Sequence, residues 1–169
     1  MSTVAATVDA ADFADWAQPS MLAMTRLARR LAPHADPDDI VQDSLTRAWL
    51  KRAQFDPALG TATTWLLAIV ADQARSSRRT RVRRLRVVDD SADVPDAPAP
   101  DTTVDVDVDL ERAIAGLAER QQLAVHLHYF VGLSVDETAA VMSCSAGTVK
   151  STLYDARARL RSLLGDDDD

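Results

Sequence analysis

The sequence predicts an all-α fold made of two small helical domains joined by an acidic extended linker, the second domain containing a helix-turn-helix. Three observations predict it. Ala, Leu and Val supply most of the 47% hydrophobic fraction, while aromatics are 5% and only five Gly are present; such a balance favours helices over turn-rich sheets. Apolar residues recur at helical spacing in both halves of the chain. Between the halves, Val94-Pro95-Asp96-Ala97-Pro98-Ala99-Pro100-Asp101 cannot sustain a helix. Residues 1–86 and 110–169 are therefore read as folded domains and 87–109 as the linker. No internal repeat is visible.

Four helices are expected in the first domain. Residues 11–17 place Phe13, Trp16 and Ala17 on one side. After Pro19, Ser20 is expected to cap a helix whose Met24, Leu27, Ala28 and Leu31 follow the i, i+3, i+4, i+7 pattern, and Pro33 ends it. Asp36-Pro37-Asp38-Asp39 is a start signal, with a capping Asp, Pro at the first helical position and acid in the first turn. The following helix is expected to bury Val41, Leu45, Ala48 and Trp49. A loop over 55–60 leads to a long helix from about Thr61 to Arg84.

The second domain also reads as four helices. Leu110, Ala113, Ile114 and Leu117 form one stripe, and Leu123, Leu127 and Phe130 another, closed by Gly132 as a C-terminal cap. Ser134 and Glu137 make a capping box for a short helix ending near Met142. A turn covers Ser143-Cys144-Ser145, and a last helix from Ala146 is expected to bury Val149, Leu153, Ala156, Leu160 and Leu163.

Net charge is −7, which on its face argues against a nucleic-acid partner. Its distribution does not. Residues 1–86 balance to +4 and 111–165 to +1, whereas 87–110 hold eight Asp and no basic residue, and the last four residues are all Asp. The acidity lies in the linker and a tail. Val104 to Asp109 alternates Val and Asp, but an isolated strand has nothing to pair with, so a solvated extended segment is expected. The lone Cys144 cannot form an internal disulfide, no run nears the ~20 apolar residues of a membrane span, and the first fifteen residues resemble no signal peptide. A soluble cytoplasmic protein without membrane insertion is expected.

Three constellations carry function. Leu133 to Leu160 has the anatomy of a helix-turn-helix, with Ala139 small where the helices approach and Val149 wedged between them. Lys150, Ser151 and Tyr154 point outward from its second helix, with Arg157 and Arg159 further along, as a recognition helix requires. Arg75, Arg78, Arg79, Arg81, Arg83, Arg84 and Arg86 place seven guanidinium groups within twelve residues, a footprint for phosphate. Arg75, Arg78 and Arg79 share i, i+3, i+4 spacing. In the third helix of the chain, Asp39, Gln42, Asp43 and Thr46 line the surface opposite the core; by periodicity alone this is an ordinary amphipathic helix.

That helix, Asp39-x-x-Gln-Asp-x-Leu-x-Arg-x-Trp49, resembles the most diagnostic motif of bacterial RNA polymerase sigma factors. Phe55-Asp56-Pro57 and Thr64-Trp65-Leu66-Leu67-Ala68-Ile69 resemble the region that opens and reads the promoter −10 element. Gly147-Thr148-Val149-Lys150-Ser151, with Ala156-Arg157 behind it, resembles the −35 reader. With two domains only, the chain is similar to the minimal, extracytoplasmic-function group. The resemblance implies polymerase binding by Asp39, Gln42, Asp43, Thr46 and Arg47 and −10 contacts by Trp65, Asp72, Arg75, Arg78 and Arg79. It further implies −35 contacts by Thr148, Lys150, Ser151, Thr152, Tyr154 and Arg157. The implied partners are core RNA polymerase (β′ coiled coil, RNA exit channel and β flap), promoter DNA and an anti-sigma factor, with no cofactor.

The chain also departs from the family pattern. Ala71-Asp72 stands where Arg-Asn is usual, Ser76 where an Asp is usual, and Thr152 and Asp155 where basic residues are usual; unusual −10 and −35 sequences follow. Glu119, often Pro in the family, suits a helix start. Asp155 is expected either to accept from a cytosine amino group or to pair with a neighbouring Arg such as Arg159 at i+4. Enzymatic readings are weak. His126 and His128 do not share a helix face, one Cys supports no zinc site, and no Gly-rich phosphate loop is present. Two other classes remain open: a stand-alone helix-turn-helix repressor or activator, which leaves the Asp39 to Trp49 helix and the Arg helix without purpose, and a degenerate regulator that only sequesters an anti-sigma factor.

Overall fold

The structure, a computed structural model, describes residues 12–88 and 108–164. The described residues are helical apart from short turns and loops, and they fall into two compact units, one on each side of residues 99 and 100. The middle of the expected linker, the first eleven residues and the Asp tail lie outside the described residues; the two ends of that linker are not extended, since residues 87 and 88 close α4 and Val108 and Asp109 open α5.

The first unit contains α1 (Phe13–Ala17), α2 (Met21–Leu31), α3 (Pro37–Lys51) and α4 (Ala62–Val88), with short 3₁₀ turns after α1 and α3. Met24, Leu27 and Ala28 of α2 pack with Ile40, Val41 and Ala48 of α3 and with Leu66, Leu67, Val70 and Ala74 of α4; all are buried. The i, i+3, i+4 recurrence of these residues turns each helix toward one shared core. Asp36 caps α3 as expected, its Oδ1 accepting from Asp38 N–H at 2.9 Å, with Pro37 beginning the helix.

Ser20 does not cap α2. It is buried, and its Oγ lies 2.8 Å from Thr63 Oγ1 near the start of α4. The hydroxyl thus tethers two helices instead of closing one. In α3 the deepest positions are Ile40, Val41, Ser44 and Ala48, while Leu45 and Trp49 are half-buried. Ser44 is tolerated there because its Oγ donates to Ile40 O at 2.7 Å. The long helix α4 runs four residues beyond the expected Arg84.

The second unit contains α5 (Val108–Ala115), α6 (Glu119–Val125), a π-helical segment His126–Val131, α7 (Val135–Met142) and α8 (Ala146–Leu164). Ile114, Leu117, Ala124, Val125, Ala139, Val149, Leu153 and Ala156 form its core, flanked by the half-buried Leu110, Phe130 and Leu160. Leu163 does not join them: it is 41% exposed. The π-helical segment is absent from the sequence expectation, since one added residue per turn shifts the apolar period. It ends at Gly132, whose φ of 89° lies in the left-handed region that glycine enters without a Cβ penalty. Ser134 Oγ accepts from Glu137 N–H at 3.2 Å and Glu137 Oε2 from Ser134 N–H at 2.8 Å, so the capping box forms as expected.

Candidate polymerase and nucleic-acid interfaces

Burial of Ile40, Val41, Ser44 and Ala48 turns the opposite side of α3 to solvent. Asp39, Gln42, Asp43, Thr46 and Arg47 are all exposed on it. Thr46 Oγ1 donates to Gln42 O at 3.0 Å, and Asp43 Oδ2 accepts from Gln73 Nε2 of α4 at 2.8 Å. Gln73 is absent from the sequence reading; its only signal there is a polar residue within the buried stripe of α4. Its bond fixes one carboxylate of the α3 face from a second helix.

Thr61 starts α4, its Oγ1 accepting from Thr64 N–H at 3.2 Å. The start of the helix meets an aromatic cluster. Trp65 lies 5.6 Å from Phe55 and 5.9 Å from Trp16, ring centre to ring centre, and Trp16 lies 5.1 Å from Phe55. Phe13 joins Trp16 to Trp49. Trp65 is thus half-buried among rings, with part of its surface left to solvent. Tilted and edge-on ring pairs of this kind each add about 0.5–1.5 kcal/mol beyond area burial, which holds the Phe55 loop against the helix.

Further along α4, Arg75 Nη1 lies 3.0 Å from Asp72 Oδ1, and Asp72 is largely exposed. Arg78 and Arg81 are half-buried, and Arg79, Arg83 and Arg84 are exposed; the side chain of Arg86 lies outside the described residues. His34, in the loop between α2 and α3, lies within reach of the charges of Arg78 and Arg81. Burial, followed by the charges of Arg81 and Arg78, holds the His34 imidazole below its ordinary pKa. A run of guanidinium groups along one helix end is a surface for polyanion backbone.

In the second unit, α7 and α8 meet through Ala139, Val149 and Leu153, all buried, across a turn in which Ser143 adopts a left-handed φ of 50°. This is the expected helix-turn-helix. Ser145 caps α8: its Oγ accepts from Thr148 N–H at 3.1 Å and lies 2.9 Å from Thr148 Oγ1. Thr148 is therefore half-buried in the cap. Its carbonyl accepts from both Ser151 Oγ at 2.9 Å and Thr152 Oγ1 at 2.7 Å. Lys150, Ser151, Tyr154, Asp155, Arg157 and Arg159 are exposed, and Thr152 is half-buried. Among the described residues no ion pair joins Asp155 to Arg159, so that expected pairing is not formed.

Two family models match the chain: "Sigma-70 region 2" over residues 21–84 and "Sigma-70, region 4" over residues 107–160. The RNA polymerase sigma-E factor of Streptomyces avermitilis is 34% identical over 90% of this chain and 85% of its own length. The ECF RNA polymerase sigma factor SigK of Mycolicibacterium vanbaalenii is 31% identical over 76% of this chain and 68% of its own. The chain belongs to the ECF group of sigma-70-type RNA polymerase sigma factors. The sigma factor RpoE of Bartonella quintana, solved in complex with the anti-sigma factor NepR, superposes with a TM-score of 0.68 at 31% identity, covering 91% of this chain and 99% of that one. As a sigma factor, the protein directs RNA polymerase to promoters through regions 2 and 4 and is a transcription initiation factor, not an enzyme. The first unit carries region 2 and the second region 4. Among the described residues, no helix is long and apolar enough to cross a membrane.

Proposed function

We propose that the exposed face of α3 is the polymerase-docking surface of this sigma factor, with Asp39, Gln42, Asp43, Thr46 and Arg47 meeting the β′ coiled coil. The observation that carries this is the division of α3: one side turned into the region 2 core through Ile40, Val41, Ser44 and Ala48, and an exposed polar side that bears the family's motif. In the same reading, Trp65 with Asp72, Arg75, Arg78 and Arg79 engages the −10 element, and Lys150, Ser151, Tyr154 and Arg157 of α8 engage the −35 element. Thr148 and Thr152 serve the −35 reader by shaping it, since their hydroxyls are spent on the cap and on a backbone carbonyl. The acidic segment between α4 and α5 runs in the basic RNA exit channel, region 4 sits on the β flap, and an anti-sigma factor restrains the protein when it is not needed. The unit that ends in α4 at Val88 and the unit that begins in α5 at Val108 are the two working domains, acting in the cytoplasm.

The test is binding of purified core polymerase by Asp39→Ala and Gln42→Ala. Both residues are exposed, so the variants are expected to fold normally and to bind core at least tenfold more weakly, a loss of about 1.4 kcal/mol. Core binding at the level of the unchanged protein would sink the docking assignment. Cross-links from the linker to polymerase surfaces remote from the RNA channel would sink that part separately.

A further inference from the structure

Resting on α8 as the −35 reader, we infer that Asp155 and Ser151 form an acceptor-only pair that selects cytosine at one position of the −35 element. Ser151 and Asp155 are one helical turn apart and both exposed, so they face the same stretch of groove. A serine hydroxyl has a single proton, and that of Ser151 is given to Thr148 O at 2.9 Å. Thr152, the half-buried neighbour of Ser151, spends its proton on the same carbonyl at 2.7 Å and offers the groove no donor. What these groups present outward is lone pairs. A carboxylate likewise only accepts, and no cation neutralises Asp155 among the described residues.

In the major groove, the donors on offer are the exocyclic amines of cytosine and adenine. Adenine sets its N7 acceptor beside that amine, which a carboxylate repels; guanine offers N7 and O6 acceptors, and thymine O4. Cytosine N4 has no acceptor beside it on its own edge. The chemistry therefore favours cytosine and disfavours guanine most strongly. Lys150, Arg157 and Arg159 on the same helix supply the positive charge that lets a carboxylate approach DNA.

Holoenzyme assembled from core polymerase and the full chain would be used to select promoters from a library randomised across the −35 element. The unchanged protein is expected to enrich cytosine at one position roughly tenfold. Asp155→Ala should flatten that position alone. Asp155→Asn should move it toward adenine, and Asp155→Arg toward guanine, following the pairing geometry of each side chain. If Asp155→Ala leaves every preference intact while Lys150→Ala alters one, the proposal is overturned and α8 remains the reader. If neither variant alters any −35 preference, the −35 role of α8 falls and the proposal falls with it.

Discussion

Gln73 Nε2 on α4 donates to Asp43 Oδ2 on α3 at 2.8 Å, joining the Arg-bearing helix to the face proposed to dock on polymerase. The bond is exposed, so it adds little to stability; its effect is to hold one carboxylate in place before any partner arrives. Gln73→Ala is expected to weaken core binding severalfold with little change in melting temperature. In an Asp43→Ala background the same change should have almost no effect. Additive losses in that double-mutant cycle would mean that Gln73 does not act through Asp43.

The α7 capping box gives region 4 a pH-dependent component. The backbone hydrogen bond from Ser134, then its side chain, holds the Glu137 carboxyl below the usual Glu range, against a smaller opposing effect of burial. A depressed acid stabilises the fold above its unfolded pKa, and that contribution is lost as pH falls through the folded value. Ser134→Ala should cost about 1 kcal/mol at neutral pH. Chemical denaturation of region 4 variants at pH 7 and pH 3 checks both points: the Glu137→Gln deficit should shrink at the lower pH.

His34 makes the opposite unit acid-sensitive for a different reason. Its imidazole is held below its ordinary value of 6.5 by burial and by Arg81 and Arg78, so the unfolded chain takes up a proton first as pH falls. Region 2 should therefore lose stability from about pH 6.5 downward and reach its full loss below the folded pKa. His34→Gln should flatten this dependence between pH 7 and pH 5. An unchanged slope in that variant would exclude His34 as the source.

Along α8, Lys150 and Arg157 should separate by readout. Lys150→Ala is expected to relax preference at particular −35 positions, at roughly 1–3 kcal/mol each. Arg157→Ala should lower affinity evenly across sequences and reduce the salt slope by about one. A uniform loss for both variants would make Lys150 a phosphate contact.

Gly132 tests the π-helical segment. No atom lies within 4 Å of an added Cβ there, so Gly132→Ala is strained by its backbone alone, at about 1–2 kcal/mol. Gly132→Asn should recover part of that loss in thermal denaturation, because Asn enters the left-handed region more readily.

Local signals were the legible ones. Asp36-Pro37 and the Ser134 with Glu137 box each form as read, because every partner lies within three residues. The exposed faces of α3 and α8 were also legible, since periodicity alone turns Asp39 and Lys150 outward. Ser20 was not: a serine before a helix looks the same whether it caps or tethers, and only the arrival of Thr63 decides. Periodicity likewise continues through Leu163 whether or not another element covers it, and it cannot register the extra residue per turn after His126. The Gln73 bond to Asp43 spans thirty residues and leaves no local trace. Spacing allows Asp155 to meet Arg159, but among the described residues no ion pair joins them.

All three tryptophans of the chain, Trp16, Trp49 and Trp65, sit in the ring cluster of the first unit. Ultraviolet emission excited at the indole band therefore originates in region 2 alone, and region 4 is dark. An emission shift during denaturation reports the melting of one half of the molecule without labelling. Circular dichroism, to which both helical halves contribute, then yields region 4 by difference.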